Sequence, residues 1–180
     1  MEEDETPDVR NPDYADTIRH SDERIRTALQ SARTMSLLFL EGKFEQAIEE
    51  ATNTLIRCIE AINLLVGQPS SSEMETFATF QDTFLLGNQE SGPSTRDWIF
   101  NFTSKNRGLL GRDFEEDLKT AQSITQNQNI RVDIAHSPKD ARTLVIKLSG
   151  MSHKLLLYAK KLRERILSRE APQNSEKGLS

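Results

Sequence analysis

The chain contains one cysteine, Cys58, in 180 residues. No disulfide framework can form within it, and such a sequence suits a reducing compartment. Leu55, Ile56, Ile59 and Ile62 surround Cys58, so it reads as a small apolar residue near a helix face rather than a reactive thiol. No run approaches the roughly 18 consecutive apolar residues of a membrane span. The opening, MEEDETPDVRNPD, is acidic and lacks the basic start and apolar core of a secretory signal, and it does not read as a transit peptide. A soluble, cytoplasmic protein with no membrane attachment is expected. Strand-like alternation and internal repeats are both missing. No GxGxxG or GxxxxGK[ST] loop is there to cradle a phosphate, and no CxxC, HExxH or partnered ExxH to hold a metal. No cofactor and no metal are expected. A surplus of positive charge is missing too. The formal net charge is −5, so the protein as a whole does not attract phosphate backbones. Two local basic groups remain, Lys105 and Arg107 with Arg112, and the run Lys160, Lys161, Arg163 and Arg165. Both read as solvated surface.

What is present is globular and helical. Hydrophobic residues make up 36% and charged residues 28%, a balance that supports one domain with its own core. Residues 1–13 read as a flexible acidic lead-in, 14–168 as a helical domain, and 169–180 as a flexible polar tail. The first helix is expected over 16–41, with Ile25, Leu29, Ala32, Met35 and Phe39 forming one stripe. Gly42 ends it. The second is expected over 44–66, with Ala47, Ile48, Ala51, Leu55, Ile59 and Ile62 facing the core, and Gly67 and Pro69 stopping it. So short a link implies an antiparallel hairpin.

A weaker middle follows. Met74, Phe77, Phe80 and Phe84 suggest a short helix, and GNQESGPS a loop. Ser94 and Asp97 then resemble a capping box leading into Trp98, Phe100 and Phe102. These aromatics read as a plug on the hairpin rather than a cofactor pocket. The next helix is expected over 111–127, on a stripe of Leu110, Phe114, Leu118, Ala121 and Ile124. Ser137-Pro138-Lys139-Asp140 opens the last, with Ser137 as cap and Pro138 in the first turn. Its stripe runs from Ala141 to Ile166. Gly150 lies inside it, where a glycine can let another helix approach. The fold class is therefore all-α, a bundle of four main helices with one or two short helices between the second and third.

The three histidines are His20, His136 and His153. His20 and His153 read as surface residues. His136 closes the segment Arg131-Val132-Asp133-Ile134-Ala135-His136, placed in the connection before the last helix. Here the sequence resembles the HEPN family (higher eukaryotes and prokaryotes nucleotide-binding), whose hallmark is an arginine and a histidine with four to six residues between them. Arg131 and His136 have four between them. LLFLEGKFEQAIEEATNTLIRCIEAINLLVG resembles the family's opening hairpin, and DFEEDLKTAQSI followed by IRVDI resembles a later stretch of one subgroup.

The resemblance implies an all-α bundle that forms a homodimer, with Arg131 and His136 at the subunit interface. It implies a metal-independent endoribonuclease acting on RNA, the toxin of a toxin–antitoxin or defence system, with a nucleotidyltransferase antitoxin as partner. In that role Arg131 binds the scissile phosphate, His136 acts as general acid or base, and Asp133 orients one of them. The chemistry suits the residues, since imidazole titrates near neutrality and guanidinium matches phosphate geometry. The pair converges only if the segment is a loop, because a five-residue step on a helix turns about 140°. The chain departs from the family in carrying Val132 after the arginine, Pro138 where some members have a modifiable tyrosine, and Val-Asp-Ile for an "ADY"-like segment. The alternative within the family is a non-catalytic dimeric partner that binds a nucleotide or docks a nucleotidyltransferase. The alternative outside it is structural. Arg131 then caps carbonyls of the preceding helix, His136 packs at the start of the next, and Asp133 pairs with Arg131.

Overall fold

The structure, a computed structural model, describes residues 12–85 and 93–168. The lead-in over 1–11, most of the GNQESGPS loop and the tail from 169 lie outside the described residues. The fold is all-α. Its helices are α1 (Pro12–Leu40), α2 (Phe44–Leu65), α3 (Glu73–Phe80) with a π-helical turn (Gln81–Leu85), α4 (Pro93–Leu110), α5 (Phe114–Gln126), α6 (Gln128–Ala135) and α7 (Pro138–Ser168). Among the described residues no strand occurs. No helix there is long and apolar enough to cross a membrane.

Two glycines set the frame. Gly42 has φ +76°, and the amides of Gly42 and Lys43 bond back to the carbonyls of Phe39 (3.1 Å) and Leu38 (2.9 Å). Gly67, at φ +73°, does the same, with Gly67 and Gln68 bonding to Leu64 and Asn63, both at 2.9 Å. Each is a Schellman end, which only a residue at ease with positive φ completes without strain. The first turns α1 into α2. Ser21 donates to the Ala61 carbonyl at 2.8 Å, so the two helices run antiparallel as expected. Arg163 pairs with Asp22 at 3.0 Å, and Ser149 meets the Met35 sulfur at 3.4 Å, so α7 also runs antiparallel to α1. The centre of the molecule is thus α2 between α1 and α7. It buries thirteen of its 22 residues, among them Leu55, Ile59 and Ile62.

The aromatic plug forms around α7. Tyr158 is buried and takes Phe84 and Phe102 edge-on, with ring centroids 5.8 and 5.2 Å away. Phe80 links Phe84 to Phe114 of α5. Burial pushes the Tyr158 phenol above its ordinary value. Met74 does not join them and stands exposed, because it sits on the outer side of α3 while Thr76, Phe77 and Phe80 face inward. Leu29, expected on the first stripe, is also exposed.

Three boundaries and the surroundings of one glycine differ from expectation. α1 begins at Pro12, so residues 12 and 13 belong to the helix. The weak middle contains an 18-residue helix, α4, which opens at Pro93 and not at a Ser94 cap. Pro93 suits that first position, since its missing N–H would have no helical partner there. The side chains of Ser94, Asp97, Trp98 and Phe100 lie outside the described residues. Gly111, expected to open the fifth helix, instead stops α4 at φ +84°, and α5 starts at Phe114. Gly150 admits no neighbouring helix, for a Cβ built there meets nothing within 4 Å.

Candidate functional site

The segment around Arg131 and His136 is a helix, α6, not a loop. Asn127 makes the break that defines it. Its backbone is extended (φ −127°, ψ 99°), its N–H closes α5 on Ser123, and its side chain accepts from the Asn129 amide at 3.1 Å. One residue therefore caps the end of one helix and the start of the next, and redirects the chain between them. At the other end His136 keeps helical dihedrals (φ −68°, ψ −21°), with its N–H shared between the Val132 and Asp133 carbonyls. Ser137 then caps α7 as expected. Its Oγ accepts from the Asp140 amide at 3.3 Å, and its carbonyl from Ala141 at 2.9 Å.

Because the backbone stays helical from Arg131 to His136, the two side chains leave α6 about 140° apart. Arg131 emerges between Ile134 and Ala135, which pack against the core cluster, and it is half-buried. His136 and Asp133 lie on the opposite, exposed side, about 60° apart as an i, i+3 pair. The helix buries none of its residues completely. It rests on α2 and α7. The structure therefore places Asp133 with His136 and separates both from Arg131 within one chain. The purely structural roles are not found either. Among the described residues the side chains of Arg131, Asp133 and His136 make no hydrogen bond and no ion pair, so Arg131 caps no carbonyl and Asp133 does not hold it.

His20 and His153 are exposed, as expected for surface residues. Among the described residues no cluster of three or more metal-ligating side chains occurs. Cys58 is fully buried, and desolvation pushes its thiol up to about 12, which keeps it protonated and unreactive at neutral pH.

A second arrangement joins parts of the chain that read separately in sequence. Lys105 of α4 meets Lys161 and Arg165 of α7 along a groove of about 360 Å³, with Asn101, Asn106 and Glu164 on its banks. The signal was the spacing. Residues 161, 165 and 168 fall on one face of α7, and 101 and 105 on one face of α4. What sequence could not supply was that these two faces meet.

Comparison of the chain with models of known protein families, with curated proteins and with solved structures finds no match in any of the three.

Proposed function

We propose that the chain is a cytoplasmic HEPN-like partner protein, dimeric and non-catalytic, that holds a nucleotide phosphate or docks a nucleotidyltransferase. One observation carries this reading: Arg131 and His136 leave a continuous helical turn about 140° apart. Metal-free RNA cleavage needs a base within hydrogen-bond reach of the 2′-hydroxyl and a cation on the adjacent phosphate. One chain cannot offer both to one phosphate from opposite sides of α6. Arg131 alone remains well suited to bind an anion. The residue is half-buried, and its guanidinium has no internal partner among the described residues. The test is incubation of the purified chain with structured RNA in EDTA, alongside calorimetric titration with ATP. The RNA is expected to stay intact, with ATP binding or a nucleotidyltransferase complex weakened in Arg131→Ala. EDTA-resistant cleavage that disappears in His136→Ala would overturn the proposal.

A second reading keeps the ribonuclease. Asp133 and His136 share an exposed face and have no internal partner among the described residues, so this pair from one copy can face Arg131 of another across a dimer axis. A mixed dimer separates the readings. Co-expressing Arg131→Ala with His136→Ala rebuilds one complete site if the site is composite. Cleavage restored in the mixture and absent in each parent supports this reading.

A further inference from the structure

The groove between α4 and α7 is independent of whatever α6 does. Three cations line it, Lys105, Lys161 and Arg165, against one carboxylate, Glu164. Among the described residues none of the four takes part in an ion pair. This is a local reversal of sign in a chain of net charge −5. The basic run of α7 is also divided by the helix. Arg163 turns to Asp22 on α1, while Lys161 and Arg165 turn to α4. Among the described residues the cations in the groove are thus left without an ion-pair partner while their neighbour is engaged.

The α7 side of the groove continues. Lys154 lies on the same stripe, seven residues before Lys161, and its Nζ reaches the end of α4 beside Gly111. From residue 154 to 165 the stripe runs about 16 Å. A single phosphate does not fill that length. The polar groups between the cations are also informative. The Asn106 amide donates to the Phe102 carbonyl at 2.9 Å, which fixes it and leaves its Oδ1 as an acceptor. With Glu164, the groove offers acceptors among cations, which the 2′-hydroxyls of an RNA strand can meet between its negative charges. A polyanion of carboxylates alone has no such donors in its side chains. Phe102 is buried against Tyr158, so its ring face is not free to stack a base, and recognition must run through the backbone.

We infer that the α4–α7 groove binds a single-stranded phosphodiester chain, without base specificity, through Lys105, Lys161 and Arg165. Attraction of this kind is salt-dependent. Three neutralised phosphates on a single strand give a slope of log K against log salt of about −2, which is a loss of roughly 20-fold between 50 and 200 mM.

The experiment uses fluorescence anisotropy with the full chain and a labelled 12-nucleotide strand of mixed sequence, as RNA and as DNA. Binding is expected at 50 mM salt with the slope given above. The triple variant Lys105→Ala, Lys161→Ala, Arg165→Ala is expected to lose at least tenfold and to flatten the slope. A control triple, Arg26→Ala, Arg33→Ala, Lys119→Ala, removes the same charge elsewhere on the exposed surface and is expected to bind as wild type. Circular dichroism checks that both remain helical. The RNA and DNA arms tell which strand is the better ligand. Equal weakening in the two triples overturns the inference, since general charge is then responsible. So does an absence of strand binding at 50 mM salt, and so does competition by ATP or polyglutamate at strand-equivalent concentration. Strand binding is read by anisotropy on the groove triple and ATP binding by calorimetry on Arg131→Ala, so the groove and the α6 proposal fail separately.

Discussion

Helices α2 and α6 are neighbours in space and opposites in construction. α2 buries thirteen residues, α6 none. α2 is held by burial on several sides, from α1, α3, α6 and α7. α6 is held mainly by its two caps, Asn127 and the turn at His136–Ser137, and by half-buried Ile134 and Ala135. The difference teaches where stability and chemistry are placed. A helix whose every position is committed to the core has no side chain left for a ligand. A helix that rests lightly on that core can present Arg131, Asp133 and His136 without an internal partner among the described residues, and it opens more easily.

The comparison is broken most directly by truncation. Leu55→Ala, at a fully buried site on α2, is expected to cost about 2–5 kcal/mol. Ile134→Ala on α6 is expected to cost under about 1 kcal/mol, because only part of its side chain is covered. Urea unfolding midpoints measure both, and equal costs would mean that α6 is as integral as α2. Cys58 tests the same core by pH. Its thiol has a folded value of about 12 against an ordinary 9.0, raised by burial. The unfolded chain therefore releases its proton first as pH rises. The stabilising contribution is complete below pH 9.0, falls from there, and is gone above about pH 12. Native protein at pH 8 is expected to resist thiol labelling until denaturant is added.

The caps give a smaller effect with a local signature. Asn127→Ala removes the acceptor for the Asn129 amide and is expected to cost about 1 kcal/mol. Hydrogen exchange should speed up in α6 while α2 amides are unchanged. If α2 speeds equally, the two helices open as one unit. Gly150→Ala runs the other way. The site is helical, exposed and open around the missing Cβ, so alanine is expected to stabilise by about 0.5–1 kcal/mol, read from the same midpoints.

The two helices also differ in how far they could be read in advance. The ends of α2 were legible because Gly42 and Gly67 have one physical use there, and its stripe because burial on several sides demands apolar residues at helical spacing. The start of α7 was legible from Ser137 and Pro138 for the same kind of reason. α6 was not. QNQNIRVDI has no complete apolar stripe, since a helix that buries nothing fully needs none, and its start depends on one asparagine serving two caps at once. Gly111 failed differently. A glycine marks a boundary without saying which side the helix lies on, and here α4 ended where α5 was expected to begin. The mutual geometry of Arg131, Asp133 and His136 followed from a helix that the sequence did not announce. The α4–α7 groove needed more still, a tertiary pairing of two helix faces whose cations, Lys105 and Lys161, lie 56 residues apart.

The smallest expected effect is also the most discriminating. Arg131→Ala and His136→Ala should each change stability by no more than about 0.5 kcal/mol, because among the described residues neither side chain has an internal hydrogen bond or ion pair to lose. Arg131 is the stricter case. Its aliphatic stem leaves α6 between Ile134 and Ala135, so truncation removes some packing, and a cost near the upper end of that range is expected. The midpoints of the two variants, set against Ile134→Ala, separate the possible uses of this surface. If Arg131→Ala costs as much as a core truncation, the guanidinium is a strut of the bundle and α6 is structural after all. If both variants fold and unfold like the wild type, the cation and the imidazole are held for something outside the chain, and any loss of binding or cleavage on their removal is functional.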